Sequence, residues 1–321
     1  MATALANLVV PEIFSRYYSE EAVKRNAFIR SGIMVNDPAL TSMMSTGGLT
    51  GNMPFFQRIG GNDEVLSETV ALTAGGIEAE KEIYTVLSRG RAWGSNDLAK
   101  AFTGEDPMRA IGDMVADWWT EKMQTTIIKT LEGVFSNSSM SGLIHNVTGL
   151  GAGKDGIDGN IVIDARQKLG DASNKLTAIV MHSIVYTTLQ KEQLIDYVRS
   201  ADNSIIFPQY LGMNVVVDDT LPYNSGTGVC TSYLFAPGAI SYGGNTAPVA
   251  TELDRDSLTG IDYLITRMHN VFHVRGTKIT DLSGLVGITP TNAELAEDRW
   301  ARIWDVKNMG VIQLVHKNVH S

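Results

Sequence analysis

The chain has 321 residues, of which 44% are hydrophobic and only 19% are charged. The net charge of −9, from 26 basic and 35 acidic residues, disfavours a dedicated nucleic-acid-binding protein, because such proteins normally carry a basic face. Charged residues usually make up about 25% of a globular chain. The low charge content therefore indicates that other molecules, such as sister subunits, cover part of the surface.

Composition also excludes two kinds of stabilising site. The lone cysteine, Cys230, can form neither an intrachain disulfide nor a thiolate metal cage. The start of the chain lacks the basic region of a signal peptide, and no segment reaches the roughly 18 apolar residues that span a bilayer. These features predict a cytosolic, soluble chain.

Residues 1–46 are predicted to form an N-terminal arm. Residues 47–98 are predicted to form a long extended hairpin, with β-prone runs at 52–59 and 83–87 and a turn at 60–63. The segment between the runs carries too few large apolar side chains to build a core, and an isolated ribbon is only marginally stable in water. Nothing else in the sequence obviously covers the ribbon, so a neighbouring subunit is expected to do so.

The clearest predicted helix covers residues 106–135. Asp106 is a good N-cap, and Pro107 suits the first helical position. Apolar residues then recur every three or four positions, which is the period of one helix face. The helix is expected to be roughly 40 Å long at 1.5 Å per residue. Its wide apolar stripe predicts that it is covered on more than one side.

Predicted helices and strands alternate irregularly in the rest of the chain, which favours an α+β fold over a doubly wound α/β sheet. A capping box formed by Thr291 and Glu294 predicts a short amphipathic helix that carries Leu295, Trp300 and Trp304. Other helices are predicted at 158–170 and 183–198. Strands are predicted at 176–181, 210–217, 231–235, 261–274 and 311–315.

A glycine-rich loop contains Gly151 and Gly156 in a G-x-G-x-x-G match, the spacing of dinucleotide-binding loops. Such a loop needs a strand just before it and a helix opening on its last glycine, and residues 146–149 are a poor strand. The segment also fails as a P-loop, because Asp155 follows Lys154 where that motif needs Ser or Thr. The pattern favours a flexible loop.

Two histidine pairs have metal-ligand spacing, His269 with His273 and His316 with His320. The sequence around the first pair is strand-like, and four residues of strand separate side chains by roughly 13 Å, too far for one ion. Neither pair contains the glutamate of the H-E-x-x-H motif. No metal site and no cofactor are predicted.

The remaining candidates for chemistry are more typical of structure. Asp218 and Asp219 follow a buried strand but lead into a turn, where solvated carboxylates are common. Cys230 is interpreted as a small packing residue. Trp118 and Trp119 favour core packing or subunit contact. No catalytic residue is predicted, and this near absence of chemistry favours a structural role.

The order of motifs in the middle of the chain is specific. A strand ends at Met181, a helix with Tyr186 and Leu189 follows, and the segments 210–222 and 233–240 come next. This order resembles the axial domain of the major capsid proteins of tailed bacteriophages.

Flanking regions extend the resemblance to about residues 50–321. The helix at 106–135 is similar to the spine helix of that family, and the segment 251–256 with the strand after it resembles the peripheral-domain strands. The segment 290–295 with Trp300 is similar to the C-terminal segment.

The resemblance implies a shell-forming fold of the Hong Kong type, which encapsulins share. Its expected parts are an N-terminal arm (1–46), an extended β-hairpin loop (47–98), a peripheral domain with a long spine helix (99–140 and 249–283) and an axial domain (141–248 and 284–321).

The expected function is that of a major capsid protein, which self-assembles into pentamers and hexamers of an icosahedral phage head around double-stranded DNA. Phe55, Phe56 and Ile59 are the expected inter-subunit contacts. DNA is expected to be contained without sequence-specific binding, and no membrane partner is expected. The arm starts almost at Met1, so the resemblance implies a separate scaffold protein or none, together with a portal. The expected location is the virion, after assembly in the host bacterial cytoplasm.

Two alternatives stay open. An encapsulin-like nanocompartment has the same fold and houses a cargo enzyme instead of DNA. A cytosolic nucleotide-binding enzyme would use the glycine loop at 149–156.

Overall fold

Three sheets and one long helix make up the part of the chain that the computed structural model describes. The described residues are 20–22, 26–57, 62–66, 76, 79–96, 107–151, 154–199 and 205–318. Residues 1–19 and 23–25 of the predicted arm lie outside them, as do the predicted contact Ile59, the cap Asp106 and His320. Among the described residues, no helix combines the length and the apolar character needed to cross a membrane.

The helices are α1 (Ala27–Arg30), α2 (Pro38–Ser45), α3 (Pro107–Ser136), α4 (Gly159–Arg166), α5 (Ser183–Lys191) and α6 (Asn292–Leu295). Short 3-10 helices cover Ser138–Leu143, Gln167–Lys175 and Val306–Asn308. The strands are β1 (Met34–Asn36), β2 (Thr50–Phe56), β3 (Ala79–Thr85), β4 (Leu87–Asn96), β5 (Ile144–Asn146), β6 (Ala178–Met181), β7 (Asp196–Arg199), β8 (Ile205–Tyr210), β9 (Met213–Val217), β10 (Tyr223–Asn224), β11 (Val229–Phe235), β12 (Ile240–Asp256), β13 (Ile261–Val274), β14 (Thr277–Ile279), β15 (Trp300–Arg302) and β16 (Val311–Lys317).

Helix α3 confirms the predicted spine helix and bridges two of the sheets. It begins at Pro107 and has 30 residues. In its first half, Trp119 Nε1 donates a hydrogen bond of 3.1 Å to Thr266 Oγ1 on β13. Near its end, the ring of Phe135 lies 5.6 Å from that of Tyr233 on β11. The helix is therefore covered on more than one side, as its wide apolar stripe predicts.

The first sheet is built on the long hairpin of β12 and β13. Its strand order is β1-β12-β13-β4, and β13 covers the residues 261–274 that the sequence predicts. The antiparallel pairing of β12 with β13 shifts register between Thr246 and Thr251. This irregularity divides the hairpin into a base, where Ile240 pairs with Val274, and an outer part that ends at the turn after Asp256.

The second sheet contains most of the core. Its order is β5-β16-β11-β6-β9-β8-β7, with β10 paired to β11. Strands β6 and β9 run parallel, and every residue of β6 is buried. A strand buried on both faces gives a continuous apolar run, which is why 176–181 is predictable from the sequence alone.

The third sheet, in the order β15-β14-β3-β2, receives the base of the predicted ribbon. Strands β2 and β3 pair as an antiparallel hairpin from Thr50 opposite Thr85 to Phe56 opposite Ala79. However, β3 also pairs with β14, and β4 pairs along its whole length with β13. The expectation that nothing in the chain covers the ribbon is therefore wrong for its base.

Two helix predictions are also wrong. The predicted helix 183–198 ends at Lys191, and after Gln193, with a φ of 59°, the chain continues as β7 because that strand pairs with β8. The capping box of Thr291 and Glu294 is confirmed, but α6 ends at Leu295. Trp300 starts β15 because that strand pairs with β14.

Candidate assembly surfaces

Strand β2 lies at the edge of its sheet among the described strands. Pro54, which has no backbone N–H, sits within it, and proline in a sheet is largely confined to edge strands. An edge strand offers unpaired backbone groups to another chain. The base of the ribbon is thus paired on one side and presents its other side outward.

The two aromatic residues predicted as contacts point to opposite sides of β2. Phe55 makes an edge-on contact with Trp304 of the same chain, with ring centroids 6.0 Å apart. Phe56 is 77% exposed. Alternate residues of a strand face opposite sides, so the structure gives Phe55 an internal partner and leaves Phe56 available to another molecule.

A cavity of about 580 Å³ opens beside these residues. It is lined by Phe55 and Phe56 from the ribbon, by Lys175, and by Ile303 and Trp304. The indole Nε1 of Trp304 is buried without a hydrogen-bond partner among the described residues. The ribbon base therefore meets the body along an incompletely filled seam.

The turn at the far end of the β12–β13 hairpin carries a second exposed apolar side chain. Asp256 accepts hydrogen bonds from the backbone N–H groups of Leu258 and Thr259 and from the Thr259 hydroxyl. These hydrogen bonds, that of the hydroxyl foremost, lower the pKa of Asp256. The turn is thereby fixed, while Leu258 at its tip is 96% exposed.

The segment 281–290 carries a third apolar surface. Its backbone is held at Val286, whose N–H donates to Glu294 at 2.8 Å, and at Thr289, whose hydroxyl donates to the carbonyl of Ser88 at 3.2 Å. Hydrogen bonds from the backbone N–H groups of Thr291 and Val286 lower the pKa of Glu294. Val286 and Ile288 nevertheless remain exposed.

The ribbon base, the hairpin turn and the segment 281–290 share one property. Strand pairing or hydrogen bonds fix the chain in each of them, while large apolar side chains face solvent. The residues concerned, Phe56, Leu258, Val286 and Ile288, are each at least 77% exposed. Contiguous apolar patches mark interaction surfaces, whereas single exposed apolar side chains are common, so these residues are candidates for subunit contact. We call them the ribbon surface (Phe56), the tip surface (Leu258) and the segment surface (Val286 and Ile288).

A buried polar pair joins the ribbon to the hairpin. His273 Nε2 on β13 lies 2.7 Å from Glu82 Oε2 on β3, and both side chains are almost fully buried. The prediction that His269 and His273 lie on a strand is confirmed. The partnership with Glu82, 191 residues away, has no local signal, and sequence reasoning missed it.

The other chemistry candidates have structural partners. Asp155 in the glycine-rich loop is buried, and its Oδ2 lies 2.7 Å from Lys317 Nζ. Asp218 is buried in a turn and accepts hydrogen bonds from Thr220, so the expectation of a solvated carboxylate is wrong for this residue. Burial raises the pKa of the Cys230 thiol to about 11, which suits a packing role.

The fold is that of phage capsid subunits. The Cyanophage Pam1 capsid gives a TM-score of 0.60 at 13% identity, covering 92% of this chain and 93% of that chain. The capsid of Ralstonia phage GP4 gives a TM-score of 0.57 at 9% identity, covering 92% of each chain. The predicted α+β capsid fold is thereby confirmed.

Sequence comparison shows to which family of capsid proteins the chain belongs. Residues 101–309 match the family described as major capsid protein 13-like. The major capsid protein of Bacillus phage SPP1 is 38% identical over 322 residues, 98% of each chain. The chain belongs to this family of phage major capsid proteins.

Proposed function

We propose that the chain builds the wall of a tailed-phage head by assembling into pentamers and hexamers that close into an icosahedral shell around double-stranded DNA. The observation that carries the proposal is the set of ribbon, tip and segment surfaces, which stay apolar and exposed although the backbone beneath them is fixed. Many modest contacts of this kind, repeated by symmetry, give a closed shell more stability than any single contact provides.

The predicted parts keep their boundaries in this proposal, with a spine helix in the peripheral domain of 99–140 and 249–283. Support comes from the register shift after Thr246, which lies beside the proposed boundary between 248 and 249. Strand β4 lies within the loop proposed at 47–98 and pairs with β13 of the proposed peripheral domain. The loop would therefore be anchored in its own subunit while it extends toward a neighbour.

The proposed partners are further copies of this chain, a portal, a separate scaffold protein and the packaged DNA, with assembly in the host bacterial cytoplasm. The net charge of −9 supports containment of DNA without tight binding, since dense phosphate contacts make affinity high and release difficult. A catalytic activity is not proposed. The carboxylate of Asp155 is buried where a nucleotide-binding loop would receive phosphate, which disfavours the nucleotide-binding alternative.

The test compares two exposed apolar residues. Phe56→Asp places a charge on the ribbon surface without removing the internal contact of Phe55 with Trp304, so the subunit should fold normally. We expect this variant to remain as subunits or small oligomers in sedimentation velocity and negative-stain microscopy. The matched control is Leu150→Asp, because Leu150 is 58% exposed and belongs to none of the three surfaces. It should assemble as the unmodified chain does.

Normal particles from Phe56→Asp would contradict the role of the ribbon surface. The contents of the particles decide between the two shell functions. Nuclease-protected DNA is the expected content, whereas a co-purified enzyme without DNA would favour the encapsulin-like compartment.

A further inference from the structure

A cavity separate from the three surfaces lies where α3, β4, β13 and the start of α6 meet. Its volume is about 170 Å³. Its apolar lining comes from Leu87, Trp118, Trp119, Met123 and Phe272. Neither the capsid fold nor the proposed shell contacts assign it a role.

The volume of the cavity suits one aromatic ring. An engineered cavity of about 150 Å³ with apolar walls stays dry and binds benzene. Trp118 and Trp119 both line the cavity, with their rings at 81° to each other and centroids 4.9 Å apart. A planar ligand ring gains from stacked and from edge-on contact with aromatic side chains.

The charges around the cavity favour an anion. Arg89 and Lys122 both line it, and none of the described lining residues is acidic. Arg89 donates hydrogen bonds to two neutral oxygens, the carbonyl of Pro290 and Oδ1 of Asn292. It forms no ion pair with a described residue. Burial lowers its pKa, and the nearby charge of Glu294 opposes that shift.

Lys122 completes this positive side. Its Nζ lies 5.8 Å from the ring centroid of Trp118. It also lies 2.7 Å from Glu121 Oε1, but both side chains are well exposed, and surface pairs of this kind contribute little. The ammonium group can therefore reorient toward a ligand.

We propose that this cavity binds a small aromatic carboxylate of the size of benzoate, with its ring against Trp118, Met123 and Phe272 and its carboxylate facing Arg89 and Lys122. Such a ligand fills space between the spine helix and the hairpin. It therefore stabilises the angle at which these elements meet.

The experiment uses the full-length, unassembled protein and three probes. Benzoate combines ring and charge, benzyl alcohol keeps the ring without the charge, and acetate keeps the charge without the ring. Tryptophan fluorescence and thermal unfolding should show saturable binding of benzoate and no saturation by acetate. Benzyl alcohol should bind roughly tenfold more weakly than benzoate, because it lacks the charge that strengthens hydrogen bonds to Arg89 and Lys122.

Two lysines on the same helix provide the matched variants. Lys122→Ala should weaken benzoate binding by roughly threefold or more, because an exposed cation contributes modestly, and should leave the binding of benzyl alcohol unchanged. Lys129, seven residues along α3, pairs with Glu132 at 2.7 Å and does not line the cavity, so Lys129→Ala should behave as the unmodified chain.

Three results would overturn the proposal. They are equal affinity for benzoate and benzyl alcohol, equal weakening by the two lysine variants, and a lack of saturable benzoate binding. Each outcome is independent of shell formation, so failure here leaves the proposed function untouched.

Discussion

At the scale of single residues, buried histidines join segments that are distant in the sequence. His273 pairs with Glu82 across β13 and β3, and His316 on β16 lies 2.9 Å from Ser232 Oγ on β11. A buried polar group that loses its partner carries an uncompensated desolvation cost. These pairs therefore constrain which strands meet, even where their net contribution to stability is small.

Removal of one partner from the buried pair of His273 and Glu82 should destabilise the subunit. His273→Leu leaves Glu82 buried without its hydrogen bond, so we expect a loss of about 1–3 kcal/mol in the free energy of unfolding, measured by urea denaturation. The double variant His273→Leu with Glu82→Leu should recover much of this loss, because no polar group is stranded. Lys307→Ala is the control, since that lysine and its partner Asp171 are mostly exposed, and it should stay within about 0.5 kcal/mol. A double variant less stable than the single one would contradict this account.

His316 should make the subunit sensitive to acid. Burial lowers its pKa to about 4, against about 6.5 in an unfolded chain. Between these values the unfolded state binds the proton and the folded state does not, so stability falls as pH falls from about 6.5 to 4. The shift corresponds to roughly 3 kcal/mol at 1.36 kcal/mol per pKa unit.

The variant His316→Gln tests whether His316 causes the loss of stability in acid, because glutamine can hydrogen-bond but does not titrate. Its free energy of unfolding, measured in urea across the same pH range, should fall less steeply than that of the unmodified chain. Carboxylates titrate in both proteins and cancel in the comparison. Parallel curves would show that His316 is not responsible.

At the scale of elements, a glycine determines how closely the spine helix approaches the chain after α6. A Cβ atom added at Gly133 of α3 would lie 1.9 Å from the carbonyl oxygen of Leu295. Alanine usually stabilises a helix interior by about 1 kcal/mol relative to glycine. Here the clash with backbone should reverse that sign.

We expect Gly133→Ala to destabilise the subunit by about 1–3 kcal/mol, as overpacking does in well-packed cores, with urea denaturation as the measurement. The matched control is Gly159→Ala in α4, where an added Cβ would meet only Leu211 side-chain carbons at 4.0 Å. That variant should be neutral or slightly stabilising. A stabilised Gly133→Ala would mean that the two segments are not in close contact.

Elements with a strong local period were predictable, and elements defined by distant partners were not. The spine helix and β13 follow from apolar spacing within one segment. By contrast, β7 and β15 exist because β8 and β14 pair with them, which overrides the helical spacing of residues 183–198 and of Trp300. The ribbon was recognisable as a hairpin, but its insertion into two sheets depends on partners nearly 200 residues away. Phe56 was a predictable contact candidate because it lies in a ribbon that is recognisable from local sequence. The exposure of Leu258, Val286 and Ile288 depends on how distant segments pack, so the tip and segment surfaces were not predictable.

At the scale of the whole molecule, the subunit has a well-buried core but leaves several large apolar side chains exposed on its surface. Its strands share a buried core, and two of its sheets meet on α3. The ribbon, tip and segment surfaces lie in different parts of the fold, so no internal rearrangement of one loop could cover all three. In the proposed shell, neighbouring copies of the chain would cover these surfaces.

The segment surface provides the last prediction. Val286→Ser with Ile288→Ser should leave the free energy of unfolding of the isolated subunit nearly unchanged, since both side chains are at least 86% exposed there. Burial of one such side chain contributes about 1.5 kcal/mol or more, and every subunit in a shell repeats the loss. The concentration needed for assembly, measured by light scattering, should therefore rise by at least roughly tenfold, because 1.4 kcal/mol corresponds to a factor of ten. The control is Ser283→Ala in the same segment, which removes an exposed hydroxyl that hydrogen-bonds to Asp281 but no apolar side chain. Assembly at the unmodified concentration by the double variant would show that these two side chains face solvent in the finished particle as well.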